Sequence, residues 1–214
     1  SRTYDHVIVD EAQDLSPMQL RMIARRSREG ALTILGDVAQ GTGAVTYDSW
    51  SDVLPHLPRG GDAEVEELRH AYRVPREIME VALPLLDTIA PGIERPLAYR
   101  VGGEAPRVRR VDEDALLREA YREAAGLARE GLVAVIVPDE LVEPALAHES
   151  AFDSVPLLTP RAAKGLEFDH VVVVEPALVA AREQGLRELY VALTRPTTTL
   201  VVVHSRPLPP QLGL

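Results

Sequence analysis

The residues best suited to chemistry lie near the start of the chain, where an apolar run ends in a group of carboxylates. The run is HVIVDEAQD, residues 6–14. Ligands of a parallel sheet bind at the carboxyl ends of its strands, and Asp10 is predicted to lie at such an end. Carboxylate oxygens suit Mg²⁺ when nucleotide phosphates supply its other ligands, and Glu11 is placed to deprotonate an attacking water. The alternative is an acidic loop in which Asp14 and Ser16 cap the next helix.

A second apolar run, LTILGDVAQ, covers residues 32–40 and also ends in polar residues. Gly36 allows a tight turn after the strand, and the amide of Gln40 can bind a phosphate or hold an attacking water. A turn of this kind is weak evidence by itself. Its position one strand after Asp10 favours the interpretation as a nucleotide site.

These two runs belong to a longer alternation of strands and helices. Most apolar runs are short and continuous, which is typical of strands buried on both faces. The predicted strands are HVIVD, LTILGD, EVEELRH, PRVRRV, LVAVIVP, VPLLT, HVVVVEP and TTLVVVHS. The predicted helices cover Pro17 to Arg28, Pro75 to Ala90, Glu113 to Glu130 and Glu183 to Leu193. The alternation predicts an α/β fold, a mostly parallel sheet with helices on both faces.

Composition limits the compartment and the class of partner. The 214 residues include no cysteine, which excludes disulfides and Cys-ligated metal centres and favours the cytoplasm. No apolar run reaches the roughly 18 residues that cross a membrane, so no membrane association is expected. The formal net charge of -10 is opposite to a broad phosphate-binding surface, so any nucleic-acid contact must be local. Arginines at 21–28 and 107–110 are candidates for it, the alternative being a solvated surface.

Pro and Gly residues divide the chain at HLPRGGDAE, residues 56–64. We therefore predict two domains, residues 1–63 and 64–214. The first contains only two predicted strands, too few for a stable α/β domain, so we expect it to be the end of a domain whose beginning is missing. The second has about six predicted strands and is expected to be complete.

Three further segments carry a family resemblance: LRHAYRVPREIM, LLTPRAAKGLEFDHVVVVEP and ELYVALTRPTTTLVVV. With DEAQD and GDVAQ they resemble, in order and spacing, motifs II to VI of superfamily 1 helicases of the UvrD/Rep type. The resemblance covers nearly the whole chain. It implies a RecA-like P-loop NTPase fold with a partial first motor domain (motifs II and III) and a complete second one (motifs IV, V and VI). It also implies ATP and Mg²⁺ as cofactors, with ATP in the cleft between the domains.

The resemblance implies roles for four residues of the first domain. Asp10 matches the Mg²⁺ aspartate, and Glu11 matches the catalytic base. Gln13 matches a γ-phosphate sensor, and Gln40 resembles the glutamine that links the nucleotide to nucleic acid.

The resemblance also implies roles for residues of the second domain. Tyr72 matches a tyrosine that stacks on adenine, and Arg73 and Arg195 match arginines that reach the γ-phosphate, while Glu167 matches a glutamate that contacts the ribose. Thr159, Arg161 and Lys164 lie where the family contacts a DNA or RNA strand. Structural alternatives remain for three of these residues: core packing for Tyr72, a helix cap for Arg73, and an ion pair with Glu188 for Arg195.

The sequence lacks the Gly-rich phosphate loop G-x-x-x-x-G-K-[ST] of the family. We therefore expect a C-terminal fragment that needs the missing N-terminal part of the same motor. The full-length protein is expected to be an ATP hydrolase, whereas the fragment alone should bind ATP poorly and hydrolyse none.

The spacing of the motifs narrows the resemblance. About 85 residues separate Tyr72 from Thr159, so the large subdomain that UvrD and Rep insert there is missing. The chain in this respect looks like the HelD family, which implies an ATPase that remodels or recycles RNA polymerase. The alternatives are a DNA helicase of the UvrD/Rep type that acts in repair and a non-catalytic binding scaffold. Pro160 and Pro196 depart from the family pattern, and we expect a monomer.

Overall fold

The structure, a computed structural model, describes residues 3–147 and 155–214. The chain forms two compact units. The first unit runs to Leu68 and includes Leu86–Glu94, and the second consists of Arg69–Leu85 and Arg95–Leu214. The sequence predicts one boundary between residues 63 and 64, whereas in the structure the first unit extends to Leu68 and also takes in Leu86–Glu94.

The first unit contains two parallel strands and a small core. Strand β1 is Val7–Val9 and strand β2 is Leu32–Ile34, with Val9 in register with Ile34. Helix α1 is Pro17–Ala24 and helix α2 is Trp50–Val53. The buried core residues are Leu20, Val38, Tyr47 and Val53.

Helix α1 begins and ends for local reasons. Ser16 and Gln19 form a capping box, and Pro17 occupies the first helical position, where its missing N–H costs nothing. The helix was predicted to continue to Arg28, but the backbone there bonds instead to Tyr4, through a 2.9 Å bond from the Arg28 N–H to the Tyr4 carbonyl. This parallel bridge competes with the helix and ends it at Ala24.

The second unit is built on a parallel five-stranded sheet with the strand order β5-β9-β8-β6-β7. Its strands are β5 Arg107–Arg110, β6 Val133–Ile136, β7 Leu157–Leu158, β8 Phe168–Val174 and β9 Pro196–His204. Strands β3 His70–Ala71 and β4 Leu97–Ala98 form a separate parallel pair. The helices are α3 Arg76–Ile89, which extends into the first unit, α4 Leu116–Leu127, α5 Val142–Leu146, α6 Pro176–Ala180 and α7 Gly185–Leu193.

Both faces of the five-stranded sheet are covered. Val172 and Val174 of β8 pack in one core cluster with Tyr121 of α4. Because side chains alternate along a strand, Val171 and Val173 point to the opposite face, and they too are fully buried. Burial on both faces explains why the central strands read as continuous apolar runs. The predicted α/β class and parallel sheet are confirmed.

One predicted strand is wrong. The stretch EVEELRH contains two apolar residues, Val65 and Leu68, but only His70 of it is in a strand. Leu68 is 92% exposed and Val65 is also exposed, so no core receives the apolar side chains. Apolar side chains without a core to bury them are not enough to form a strand.

The two arginine stretches are on the surface. Arg107 and Arg109 of β5 both pair with Glu123 of α4, at 3.2 and 3.1 Å. A shared carboxylate reduces the positive charge that these two side chains could offer to a phosphate. Within residues 3–147 and 155–214, no helix is long and apolar enough to cross a membrane.

Candidate nucleotide site

The carboxylates after β1 are held by a tight turn. Asp10 and Glu11 are both exposed, and the Glu11 backbone has the left-handed conformation (φ 53°, ψ 37°) that non-glycine residues seldom adopt. A 3₁₀ turn of residues Ala12–Asp14 follows. The Glu11 N–H donates to Asp10 Oδ1 at 2.8 Å, and the Ala12 N–H donates to the Leu35 carbonyl just beyond β2 at 3.0 Å. These bonds fix the turn and the Asp10 carboxylate at the end of the strand.

Gln13 lies beneath this turn. Its side chain is buried, with a relative exposure of 1%. Its Nε2 donates to Glu11 Oε2 at 2.5 Å, and its Oε1 accepts from the Asp37 N–H at 3.1 Å. The amide therefore connects the ends of β1 and β2.

Gly36 and Asp37 complete the second strand end. A Cβ atom on Gly36 would lie 2.2 Å from Gln13 Oε1, so a side chain here would displace the amide. The Asp37 carboxylate accepts from the Ala39 N–H at 3.0 Å and from Gln40 Nε2 at 2.8 Å. Gln40 is thereby held at the same edge of the strand pair as Gln13.

Asp10 is suited to bind a Mg²⁺ ion whose other ligands are phosphate oxygens and water. The described ranges, 3–147 and 155–214, contain no group of three or more His, Cys, Asp or Glu side chains that could hold a metal ion. Mg²⁺ in nucleotide sites is commonly bound by one or two carboxylates plus phosphate oxygens and water. An exposed carboxylate at a strand end, one oxygen of which accepts a backbone N–H, fits that mode and not a metal cage made by the protein alone.

In the second unit the structure brings Arg73 and Glu167 together. Arg73 Nη1 forms an ion pair with Glu167 Oε1, although 94 residues separate them in sequence. Both side chains are about half exposed. An exposed pair of this kind contributes little to stability, in general about 0–1 kcal/mol, so both groups remain accessible to a ligand.

Three rings form an exposed aromatic cluster beside Arg73. The Tyr72 and Tyr99 rings have their centroids 5.3 Å apart, and His70 contacts Tyr99 edge-on at 5.0 Å. Tyr72 is 67% exposed, so the core-packing alternative does not hold for it. The parallel pairing of β3 with β4 explains the cluster. Ala71 is in register with Ala98, and Tyr72 and Tyr99 are the residues that directly follow these two.

Arg195, which matches an arginine that reaches the γ-phosphate, is buried in this structure. It is 2% exposed, and its guanidinium donates to the Val191 carbonyl at 3.0 Å, the Leu166 carbonyl at 3.3 Å and Thr194 Oγ1 at 3.2 Å. These bonds anchor the end of α7 to the segment before β8. To reach a ligand, the side chain would have to exchange at least part of this set.

The residues predicted to contact nucleic acid lie in the turn between β7 and β8. Thr159 Oγ1 accepts from the Ala162 N–H at 3.3 Å, and Lys164 is half-buried. Arg161 Nε donates to Glu188 Oε1 at 2.5 Å. Glu188 is fully buried and also pairs with Arg182 at 3.1 Å, so this carboxylate has two arginine partners, Arg161 and Arg182.

Sequence reasoning missed two residues that the geometry brings to these groups. Asp37 orients Gln40 and donates its N–H to Gln13, and Tyr99 contacts Tyr72. Asp37 had a signal, since it stands at a strand end beside Gly36. Tyr99 had none, since its role depends on the register of two strands of two residues each.

Comparison with known proteins gives matches to helicases. Residues 155–203 match the family described as the UvrD-like helicase C-terminal domain, which here includes β7, β8, α6, α7 and most of β9. The chain is 26% identical over 226 residues to DNA helicase IV of Escherichia coli K12, covering 90% of this chain and 32% of that protein. The chain therefore spans about a third of the length of this curated relative.

Two solved structures resemble the chain, and the first of them supports the fold. The helicase of PRRSV has a TM-score of 0.54 and 17% sequence identity, over 92% of this chain and 34% of that chain. The C-terminal domain of a possible DNA helicase from Lactobacillus plantarum WCFS1 has a TM-score of 0.48 and 20% identity, over 66% of this chain and 91% of that one. At such identity the first likeness shows the fold alone, and it fits the predicted RecA-like class.

Proposed function

We propose that this chain is the C-terminal motor portion of an ATP-dependent superfamily 1 helicase related to DNA helicase IV. The observation that carries the proposal is the turn after β1, where Asp10 and Glu11 are exposed at a strand end. The Asp10 carboxylate accepts from the Glu11 N–H, and the Glu11 carboxylate accepts from Gln13. In this function Asp10 binds the Mg²⁺ that accompanies ATP, and Glu11 orients and deprotonates the attacking water.

The second unit supports the proposal with groups of the complementary kind. Arg73 is accessible and permanently charged, as a group that stabilises a transferring phosphoryl must be. Glu167 is accessible beside it, with the chemistry to accept hydrogen bonds from a ribose. Tyr72 presents an exposed ring on which a purine can stack. Arg195 takes part if the motor rearranges the bonds that hold it.

Surface composition supports a larger assembly of the first unit. Ile8 on β1 is 69% exposed, and Met18 and Met22 on α1 are exposed to a similar degree. Several exposed large apolar side chains on so small a unit are typical of surfaces that pack against further polypeptide. We propose that the phosphate loop and the remaining strands of a first motor domain occupy this surface in the longer protein, with residues 1–63 and 64–214 as parts of two motor domains.

The experiment compares ATP turnover by the longer protein and by this chain. We expect the longer protein to hydrolyse ATP with stimulation by single-stranded DNA, and Glu11→Gln to reduce kcat by on the order of 10²–10⁴, as loss of a general base does. Glu29→Gln, another exposed acid of the first unit, is the matched control and should retain activity. The chain alone should show no turnover.

Two results would contradict the proposal. If Glu11→Gln left ATP turnover unaffected, Glu11 would not be the general base. A longer protein that binds its partners but lacks turnover under all conditions would instead identify the scaffold alternative, in which the motor fold serves binding only.

A second candidate is the HelD-type function, an ATPase acting on RNA polymerase. The observation in its favour is that the segment between Tyr72 and Thr159 holds only β4 to β7 and α3 to α5 in its described part, with no room for an inserted subdomain. Affinity purification of the longer protein under native conditions discriminates the two. Stoichiometric RNA polymerase subunits favour the HelD role, and strand separation of duplex DNA without polymerase favours the helicase role.

A further inference from the structure

We propose that Gln13 is the positioning residue for Glu11: its buried amide fixes the direction of the Glu11 carboxylate relative to the end of β2. This inference rests on the proposed ATPase function. It assigns Gln13 a different role from the γ-phosphate contact that the sequence resemblance implies.

The two hydrogen bonds of the amide define its orientation. Nε2 donates to Glu11 Oε2 at 2.5 Å and Oε1 accepts from the Asp37 N–H at 3.1 Å. A carboxylate only accepts and a backbone N–H only donates, so rotating the amide by 180° would break both bonds. The side chain thus has one orientation that satisfies both neighbours, and that orientation directs a donor at Glu11.

Glu11 needs such a partner because little else restrains its side chain. It is exposed, and a glutamate with free rotamers loses considerable entropy when it is fixed in one direction. The left-handed backbone of Glu11 and the bond from its N–H to Asp10 fix where the side chain starts. The bond from Gln13 fixes the position of the carboxylate at the end of this side chain. A base that is oriented before its substrate arrives reacts faster than one that must be ordered during the reaction.

The surroundings of Gln13 are built to keep the amide in place. Gly36 leaves the space that the Oε1 atom occupies, since a Cβ there would approach it to 2.2 Å. Asp37, whose N–H holds the amide, is itself fixed by carboxylate bonds to the Ala39 N–H and to Gln40. At 1% exposure, Gln13 acts on the reaction through Glu11 and does not itself contact the nucleotide.

Two substitutions separate the Glu11 bond from the Asp37 bond. Gln13→Met keeps a similar volume and loses both hydrogen bonds. Gln13→Glu keeps an acceptor for the Asp37 N–H but places a second carboxylate against Glu11. Gln19→Met is the matched control, because Gln19 bonds to Ser16 in the capping box of α1 and makes no contact with Glu11.

Steady-state ATP hydrolysis by the longer protein tests the inference. We expect both Gln13 variants to lower kcat by on the order of 10- to 100-fold, as misplacement of a reacting group does, with KM for ATP changed less than about twofold. Gln19→Met should retain the wild-type kcat. Gln13→Glu should regain activity relative to Gln13→Met as the pH falls toward about 5, because the protonated carboxyl again donates to Glu11.

The outcomes distinguish the inference from the function on which it rests. If Glu11→Gln leaves turnover intact, the proposed function fails. If Glu11→Gln abolishes turnover while both Gln13 variants keep the wild-type kcat, only the positioning role is overturned. The contact can also be tested on this chain without an activity assay, through the NMR signal of the Gln13 side-chain amide. This signal is assigned by its loss in Gln13→Met. Glu11→Ala should shift this signal, and an unchanged signal would contradict the contact.

Discussion

Substituting Gly36 tests how firmly the Gln13 amide is held. A Cβ on residue 36 would lie 2.2 Å from Gln13 Oε1, and Gly36 has no positive φ that would itself strain alanine. Gly36→Ala therefore forces the buried amide away from Glu11 and Asp37. Losing these bonds costs about 1–3 kcal/mol, and the reduced entropy of the unfolded chain offsets about 0.4–1 kcal/mol. We expect a net loss of about 1–2 kcal/mol in the free energy of unfolding.

Urea unfolding monitored by fluorescence provides the assay. Trp50 is the single tryptophan of the sequence and packs against the core of the first unit, so its emission reports on this unit. In a Gln13→Ala background the obstructing amide is absent, and Gly36→Ala should be neutral or stabilise by up to about 1 kcal/mol. The same cost in both backgrounds, within about 0.5 kcal/mol, would refute the reasoning and point to the 3.1 Å approach to the Ala12 N–H instead.

Three further predictions concern the second unit. Hydrogen bonds from backbone N–H groups, its own and those of two glycines in the 100–106 loop, lower the pKa of Glu77. The stabilisation is therefore present above about pH 4.5 and lost as pH falls through the lowered pKa, so the amide-exchange protection factors of this loop should fall in acid for wild type but not for Glu77→Gln. Glu188→Gln should lower the free energy of unfolding by about 1–3 kcal/mol in urea titrations, whereas Glu119→Gln, which breaks an exposed pair, should cost less than about 0.5 kcal/mol. In the longer protein, Tyr72→Ala should weaken binding of a fluorescent ATP analogue by about 1–3 kcal/mol, and Tyr99→Ala should weaken it less. If Tyr72→Ala bound the analogue with the affinity of the wild type, stacking on Tyr72 would be excluded.

Much of the framework followed from local patterns. Continuous apolar runs such as residues 171–174 predicted strands buried on both faces, and the structure has them there. The capping residues Ser16 and Pro17 predicted the start of α1. The same logic failed for residues 64–69, because Val65 and Leu68 have no core to bury them and both are exposed.

The sequence also predicted chemistry at strand ends but not the contacts that organise it. Asp10 and Glu11 are exposed after β1 because that strand ends there, a local property. Arg195 was matched to an arginine that reaches the γ-phosphate, and the structure has it buried against the Leu166 carbonyl, 29 residues away. From the sequence alone, an arginine whose guanidinium is buried against carbonyl groups looks the same as one whose guanidinium is free to bind a phosphate.

The sequence by itself determined the α/β class, the parallel sheet and the position of Asp10 and Glu11 at a strand end, because apolar periodicity and turn residues act over a few neighbours. Only the tertiary structure decided that Gln13 would bond to Glu11 and Asp37 and that Tyr99 would contact Tyr72. The physical reason is that these contacts depend on the register of strands that are distant in sequence. The direction in which Glu11 points is therefore set through Asp37, which follows β2 and lies 24 residues beyond the glutamine that holds Glu11.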